Sequence, residues 1–327
     1  MRKRARIIYN PTAGREALKQ KMIDILSVYE EAGYETSVFA TTPEPNSAKN
    51  EATRVAKDGF ELVVAAGGDG TLNEVVDGLA PLPRRPKLAI IPAGTTNDFA
   101  RALHIPREDP VDAAKVILKH QSLKIDVGQA GDSYFINIAG GGLLTELTYD
   151  VPSNLKTAFG YLAYLVKGAE MLPRIRPIQM DLKYDGGHYK GKASMFLLAM
   201  TNSIGGLERI VPDASLDDGQ FTLIIVKASN LVQIAQLLAK VISGGRHIDD
   251  PRIIYKKTTK LTAKPVNNPM QINLDGEYGG DAPMVFTNLK QHLDTVVDLA
   301  KLPDNAVSDT NTVESEQKFV QNVDKLN

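Results

Sequence analysis

The stretch Leu62-Val63-Val64-Ala65-Ala66-Gly67-Gly68-Asp69-Gly70-Thr71-Leu72-Asn73-Glu74 constrains this chain more than any other. Five apolar residues in a row read as a strand buried on both faces. Three glycines and an acid follow, and then a helix begins. Glycine lets the backbone turn sharply and lets an anion approach its N–H groups. A helix start adds unpaired N–H donors and the positive end of its dipole. Thr71 offers a hydroxyl beside them. Asp69 is an acid in a place otherwise suited to anions. Its use there is to hold a cation, or a water on a cation, next to phosphates. Two adjacent glycines alone would read as a tight capped turn; the whole string reads as a phosphate-binding loop. It is neither a Walker A loop nor a GxGxxG fingerprint.

The first 125 or so residues alternate strand and helix signals. Ala5–Tyr9, Thr36–Ala40, Leu62–Ala66 and Leu88–Ile91 are the strand candidates. Leu18, Met22, Ile25, Leu26 and Tyr29 recur at helical spacing up to Gly33. Ser47 can cap a helix carrying Ala52, Val55 and Ala56, and Asp109-Pro110 opens another. Such alternation implies a doubly wound parallel sheet whose strand carboxyl ends face one crevice. Two more loops then fall near the first. Pro92-Ala93-Gly94-Thr95-Thr96-Asn97-Asp98-Phe99 brings donors and an acid. In Asn10-Pro11-Thr12-Ala13-Gly14-Arg15, Asn10 and Thr12 can hydrogen-bond a ligand and Arg15 can meet a phosphate. Each is weak alone. Three at one end of one sheet point to a nucleotide site.

Near Asp126 the pattern changes to short strands and hairpin turns. Tyr184-Asp185-Gly186-Gly187-His188-Tyr189 is a turn between alternating segments. Phe196–Met200, Phe221–Val226, Lys260–Lys264 and Gln271–Leu274 are further strands, with helical stretches at about 153–171 and 230–242. The reading is therefore α/β. A nucleotide-binding domain covers 1–125, and 290–303 is a candidate for return to it. A larger, β-rich sandwich-type domain covers 126–289. The polar stretch 304–327, with five acids and two lysines, reads as disordered.

Composition narrows the function. The 327 residues include no cysteine, which excludes disulfides, thiolate metal sites, iron–sulfur clusters and cysteine nucleophiles, and fits a reducing cytosol. A formal net charge of −1 disfavours nucleic acid as the main partner. No apolar run reaches the roughly 18 residues of a membrane span. The basic start is followed only by Ile7-Ile8-Tyr9, too short for a signal-peptide core. The five histidines show no HExxH or HxH spacing, and no serine sits in a GxSxG elbow.

Gly67-Gly68-Asp69-Gly70-Thr71 with Asn73-Glu74 resembles the signature of the diacylglycerol kinase catalytic family, whose GGDGT core is shared with NAD kinases. The resemblance extends, in family order, to Asn10-Pro11-Thr12-Ala13-Gly14, Pro92–Phe99, Leu216-Asp217-Asp218-Gly219 and Leu274-Asp275-Gly276-Glu277-Tyr278-Gly279-Gly280. It covers roughly residues 1–303 and is similar in particular to the family's soluble members in Gram-positive bacteria. It implies ATP-dependent conversion of diacylglycerol to phosphatidate in phospholipid and lipoteichoic-acid recycling, by a cytoplasmic, peripherally membrane-associated homodimer. By motif position, Asn10, Pro11, Thr12, Ala13, Gly14, Thr41, Gly67, Gly68, Asp69, Gly70, Thr71, Leu72, Asn73 and Thr95 would contact ATP. Asp69 would join a water–Mg²⁺ network. Asp218, with the carbonyls of Ser215 and Gln220, would bind a structural Mg²⁺. Glu277 would be the general base, and Asp98 and Lys167 would matter for activity. Arg15 departs from the pattern, since close relatives carry lysine; arginine keeps the charge on a wider, planar head.

Read from residues alone, Asp275-Gly276-Glu277 and Asp217-Asp218-Gly219 are ordinary turn signals; their chemical roles come from the resemblance. Residues 152–210 carry eight basic and four acidic side chains, including Lys156, Lys167, Arg174 and Arg176. Helix 153–171 combines an apolar stripe with Tyr161 and Tyr164. That suits docking on an anionic membrane, and it equally suits a core or dimer-contact helix. The competing functions are NAD kinase, a kinase for another lipid alcohol such as a sphingoid base or undecaprenol, and a catalytically silent nucleotide-binding regulator.

Overall fold

The computed structural model describes residues 2–142, 177–204, 207–208, 210–229, 231–242, 247–267, 269–303 and 306–308. Strands β1 (Lys3–Tyr9), β2 (Tyr34–Ala40), β3 (Leu62–Gly67) and β4 (Lys87–Pro92) pair in parallel in the order β2-β1-β3-β4. Every residue of β3 is buried, as its unbroken apolar run requires. Helices α1 (Ala17–Gln20), α2 (Met22–Glu31), α3 (Ser47–Lys57), α4 (Asp69–Leu79), α5 (Asp98–Ala102) and α6 (Pro110–Ala114) connect or follow these strands. Ile25, Val28 and Tyr29 of α2 and Leu72, Val75, Val76 and Leu79 of α4 join the strands in one core. At α6, Asp109 accepts the Val111 N–H at 2.7 Å, with Pro110 in the first turn, as that dipeptide foretold. Ser47 differs from expectation. It is the first helical residue of α3, behind a left-handed Asn46, and its hydroxyl accepts from the Thr42 N–H.

The second half supplies β5 (Ser122–Ala130), β6 (Ser133–Phe135), β7 (Ile138–Gly142), β8 (Ile178–Tyr184), β9 (Gly187–Ala199), β10 (Ser203–Ile204), β11 (Leu207–Glu208) and β12 (Phe221–Lys227). Helix α7 (Leu231–Ile242), β13 (Ile253–Thr258), β14 (Lys260–Pro265), β15 (Gln271–Leu274), β16 (Glu277–Asp281) and β17 (Met284–Val296) follow. The pairings among these strands are antiparallel and surround a second core of Phe135, Phe196, Phe221 and Phe286 with aliphatic neighbours. The expected turn at Tyr184–Gly187 joins β8 to β9. The candidate helix 153–171, with its membrane-facing reading, lies outside the described residues.

Strand β17 joins the two halves into one sheet. Its first residues pair with β14, and its last run parallel to β4 at Thr295↔Leu88. Leu293, Val296 and Val297 belong to the core of the first half. Between them the register with β5 shifts, with Gln291 in the left-handed region at φ +50°. Asp126 stitches this irregularity. Its carboxylate accepts N–H bonds from Gln291 at 2.7 Å and Gly219 at 2.6 Å. Burial first, then the neighbouring Asp218 and Asp217, push its carboxyl up to about 6 against those bonds. Of the stretch 304–327, residues 306–308 are described, and these are bonded to the rest: the Leu216 N–H donates to the Ala306 carbonyl, and Ser308 donates to both carboxylate oxygens of Asp217.

Asp126→Ala leaves two enclosed N–H groups without an acceptor. We expect a loss on the order of 2–4 kcal/mol of unfolding free energy, measured by denaturant titration. A loss below about 0.5 kcal/mol would contradict the role given to this carboxylate.

Candidate active site

The three loops meet at the carboxyl ends of β1, β3 and β4, and they meet through glycine. A Cβ placed on Gly94 would lie 2.6 Å from Gly68 Cα, and one on Gly14 would lie 3.3 Å from the Ala93 carbonyl oxygen. At Gly94 only a residue without a side chain lets the backbones approach so closely, and Gly14 also has φ +59°, where glycine is favoured. The first loop is closed by Asn10, whose Oδ1 accepts from the Thr12 N–H and hydroxyl at 3.0 and 2.9 Å. Thr41 is held at the adjacent strand end, its N–H donating to the Tyr9 carbonyl. In the Pro92–Phe99 loop, Asn97 takes the Gly94 N–H and returns a bond to the Gly94 carbonyl. Thr95 is left exposed at the rim.

Helix α4 begins at Asp69, directly behind Gly68. The first N–H groups of a helix lack intrahelical acceptors, so its start is a ready anion site. Thr71 folds back over Gly67, where a Cβ would come within 2.5 Å of its hydroxyl. Asp69 does more than the sequence suggested. Its two carboxylate oxygens accept the N–H groups of Asn97 and Asp98, each at 2.9 Å, and so cap α5. Burial, and then the Asp98 carboxylate, push Asp69 up to about 6, while the two N–H bonds oppose the shift.

Glu277 enters from the second half. Leu274 pairs with Glu277 across a two-residue turn in which Asp275 and Gly276 have φ +49° and +96°. Positive φ at both positions is the type I′ hairpin that Asp-Gly favours. Asp275 anchors that hairpin: its carboxylate accepts from the N–H groups of Ile136, Asn137 and Ile138 at 2.8, 2.9 and 2.7 Å. It also accepts from Asn73 Nδ2 at 3.2 Å, which binds the hairpin to α4. Burial raises its carboxyl above the ordinary range, against the pull of these bonds. Glu277 is exposed, and a Cβ on Gly70 would lie 4.0 Å from its Oε1. The carboxylate thus stands over the first turn of α4.

Donors for a cation are present, though thinly. Among the described residues no three acids or histidines converge on one point. Mg²⁺ bound with a nucleotide needs only one or two carboxylates beside phosphates and waters, and Asp69 and Asp98 fit that need. Around the second candidate ion, Asp218 Oδ1 accepts the Gln220 N–H at 2.8 Å, and Oδ2 lies 3.7 Å from the Lys257 ammonium. Ser215 turns its hydroxyl to Asp217. An ion there would share Asp218 with a cation already in place. Lys167 lies outside the described residues. Asp275, Ser203 and Asn137 were given no role of their own from the sequence; the Asp-Gly dipeptide was the available signal for the first.

Comparison with known proteins gives the family of the chain. Residues 4–130 match the model of the diacylglycerol kinase catalytic domain, and 148–297 match the YegS C-terminal NAD kinase beta sandwich-like domain. A diacylglycerol kinase of Bacillus subtilis (strain 168) is 52% identical over 299 residues, 90% of this chain and 96% of that protein. The chain belongs to the diacylglycerol kinase family. A relative of the same name from Staphylococcus aureus is 49% identical over 294 residues, covering 90% of this chain and 92% of that protein. A solved structure from Bacillus anthracis str. Sterne superposes with TM-score 0.78 at 26% identity, covering 91% of this chain and 96% of that one. The family's two-part architecture, α/β followed by β sandwich, is the one observed.

The raised Asp69 has a measurable sign. An unfolded aspartate titrates near about 3.9. Between about pH 4 and 6 the folded, metal-free chain holds a proton there that the unfolded chain has lost. This group's contribution to stability therefore falls as pH rises through that window. Asp69→Asn removes the slope. Its stability relative to the parent is expected to improve from about pH 4.5 to about pH 7 in urea unfolding. A difference independent of pH would refute the shift.

Proposed function

We propose that this chain transfers the γ-phosphoryl group of ATP to the free hydroxyl of diacylglycerol, with Glu277 as general base. Family membership carries the reaction class, a lipid kinase; the single observation that carries the mechanism is Glu277 placed over the N-terminal turn of α4. The hydroxyl proton passes to Glu277 as the oxygen attacks phosphorus and the β–γ bridging oxygen leaves with ADP. The backbone N–H groups at the start of α4 and of the Gly67–Gly70 turn receive phosphate oxygens. Asn10 to Gly14, Thr41 and Thr95 line the nucleotide's path along the strand ends, with Arg15 offered to phosphate. Mg²⁺, when bound, would offset phosphate charge; Asp69 would hold it through water, and Asp98 would support Asp69.

The finer parts of the reading are proposals of the same kind. They are a structural Mg²⁺ at Asp218 with the Ser215 and Gln220 carbonyls, a role for Lys167, homodimerisation, and a place in lipid recycling. The division at about residues 125 and 289 is another. Association would be peripheral, on an anionic cytoplasmic membrane face. In support, no helix among the described residues is long and apolar enough to cross a membrane.

The test is transfer of labelled phosphate from ATP to diacylglycerol in mixed micelles, with NAD⁺ and a sphingoid base in parallel. Glu277→Gln is expected to lower kcat by about 10²–10⁴-fold while ATP affinity stays within about threefold. A Gln variant with parental turnover would remove Glu277 from the mechanism. Label appearing in NADP⁺ or the sphingoid product in place of phosphatidate would reassign the acceptor.

A further inference from the structure

Ser203 has no role in the reading above, yet its hydroxyl reaches the centre of the site. Its residue is fully buried, 0% exposed, on β10. It donates to Asp98 Oδ1 at 2.9 Å. That bond crosses from the second half of the chain to the first, since Asp98 opens α5. Behind Ser203 stands a buried polar series. Its carbonyl lies 3.2 Å from the Thr201 hydroxyl, which also contacts Asn137 Oδ1. The Asn137 N–H donates to Asp275, the anchor of the Glu277 hairpin. Ahead of it, the Asp98 N–H donates to Asp69. Ser203 thus sits where the two acids of the first half are tied to the hairpin of the second. A hydroxyl aimed at an enclosed carboxylate makes a charge-assisted bond, stronger and more directional than one in water.

We propose that Ser203 is a positioning residue for phosphoryl transfer. It fixes the Asp98 carboxylate and, through the start of α5, the two N–H groups that hold Asp69. The proposal rests on the roles given above to Asp69 and Asp98. Ser203 touches neither substrate, and the glycine loops that would take the nucleotide do not depend on it. Losing the hydroxyl should therefore weaken the step in which charge builds on the phosphoryl group, and spare ATP binding.

The test uses the full chain with Ser203→Ala and Ser203→Thr, read by kinetics and by amide hydrogen exchange of the metal-free proteins. For Ser203→Ala we expect kcat to fall by about 10–100-fold, the size of one bond to a charged group, with KM for ATP within about twofold. Exchange across residues 95–102 should rise by about tenfold, while β3 and β4 stay as protected as in the parent. The threonine protein keeps the hydroxyl and should recover most of the turnover. Parental kcat with unchanged exchange in the alanine protein would overturn the proposal. So would exchange raised equally through β3 and β4, or equal loss in both variants, since either places the effect in general packing. Asp69→Asn run alongside separates the two claims: if it is inactive and Ser203→Ala is not, only this inference fails. An active Asp69→Asn overturns the reading beneath it.

Discussion

One carboxylate ties the Glu277 hairpin to its surroundings. Asp275 gathers three successive backbone N–H groups from the approach to β7 and a side-chain amide from α4. The bond from Asn73, with that from Ser203 to Asp98, sets the second half against the glycine loops of the first. Burial makes ionisation costly, and four donors offset that cost. The hairpin is thereby held in one orientation, and Glu277, two residues on, inherits it. For the base proposed above this would matter, since one on a freely moving loop would spend most of its time away from the acceptor.

The opposing wall is built from contacts that have no side chain. Gly68 and Gly94 face each other backbone to backbone, and Asn97 and Asp69 close the gap behind them. The result is a close backbone contact with Asp69 bonded just behind it to the start of α5. On the function proposed above, a phosphate would meet the start of α4, and a cation brought with it would meet Asp69 and Asp98. Burial, and then the Asp98 carboxylate, make ionisation of Asp69 costly, so a neighbouring cation would be favoured there.

Much of this was legible in the sequence, for local reasons. Leu62–Gly67 is a buried strand because no polar residue interrupts it, and the glycines that follow permit one kind of turn. The Asp185-Gly186 and Asp275-Gly276 hairpins announce themselves by dipeptide. What could not be read were partners chosen by tertiary contact. Asp69 was read as a cation holder, and its capping of α5 depends on a loop almost thirty residues away. Ser203 and Asn137 are unremarkable in the string and acquire meaning only when β10 meets α5. Ser308 looked like part of a polar tail, and its bonds to Asp217 depend on a turn some ninety residues earlier. Motif resemblance reached Glu277 where residue patterns alone left an ordinary turn.

Strand β17 carries a consequence for how the molecule can be taken apart. It comes last in the sheet's sequence, yet it lies beside β4 and gives Leu293, Val296 and Val297 to the first core. A fragment ending near residue 125 would expose β4 as a bare edge and leave a gap in its hydrophobic interior. Such a piece would be prone to self-association rather than to independent folding. The first core is thus completed only by a strand that follows the whole β-rich stretch, and its assembly waits on that stretch.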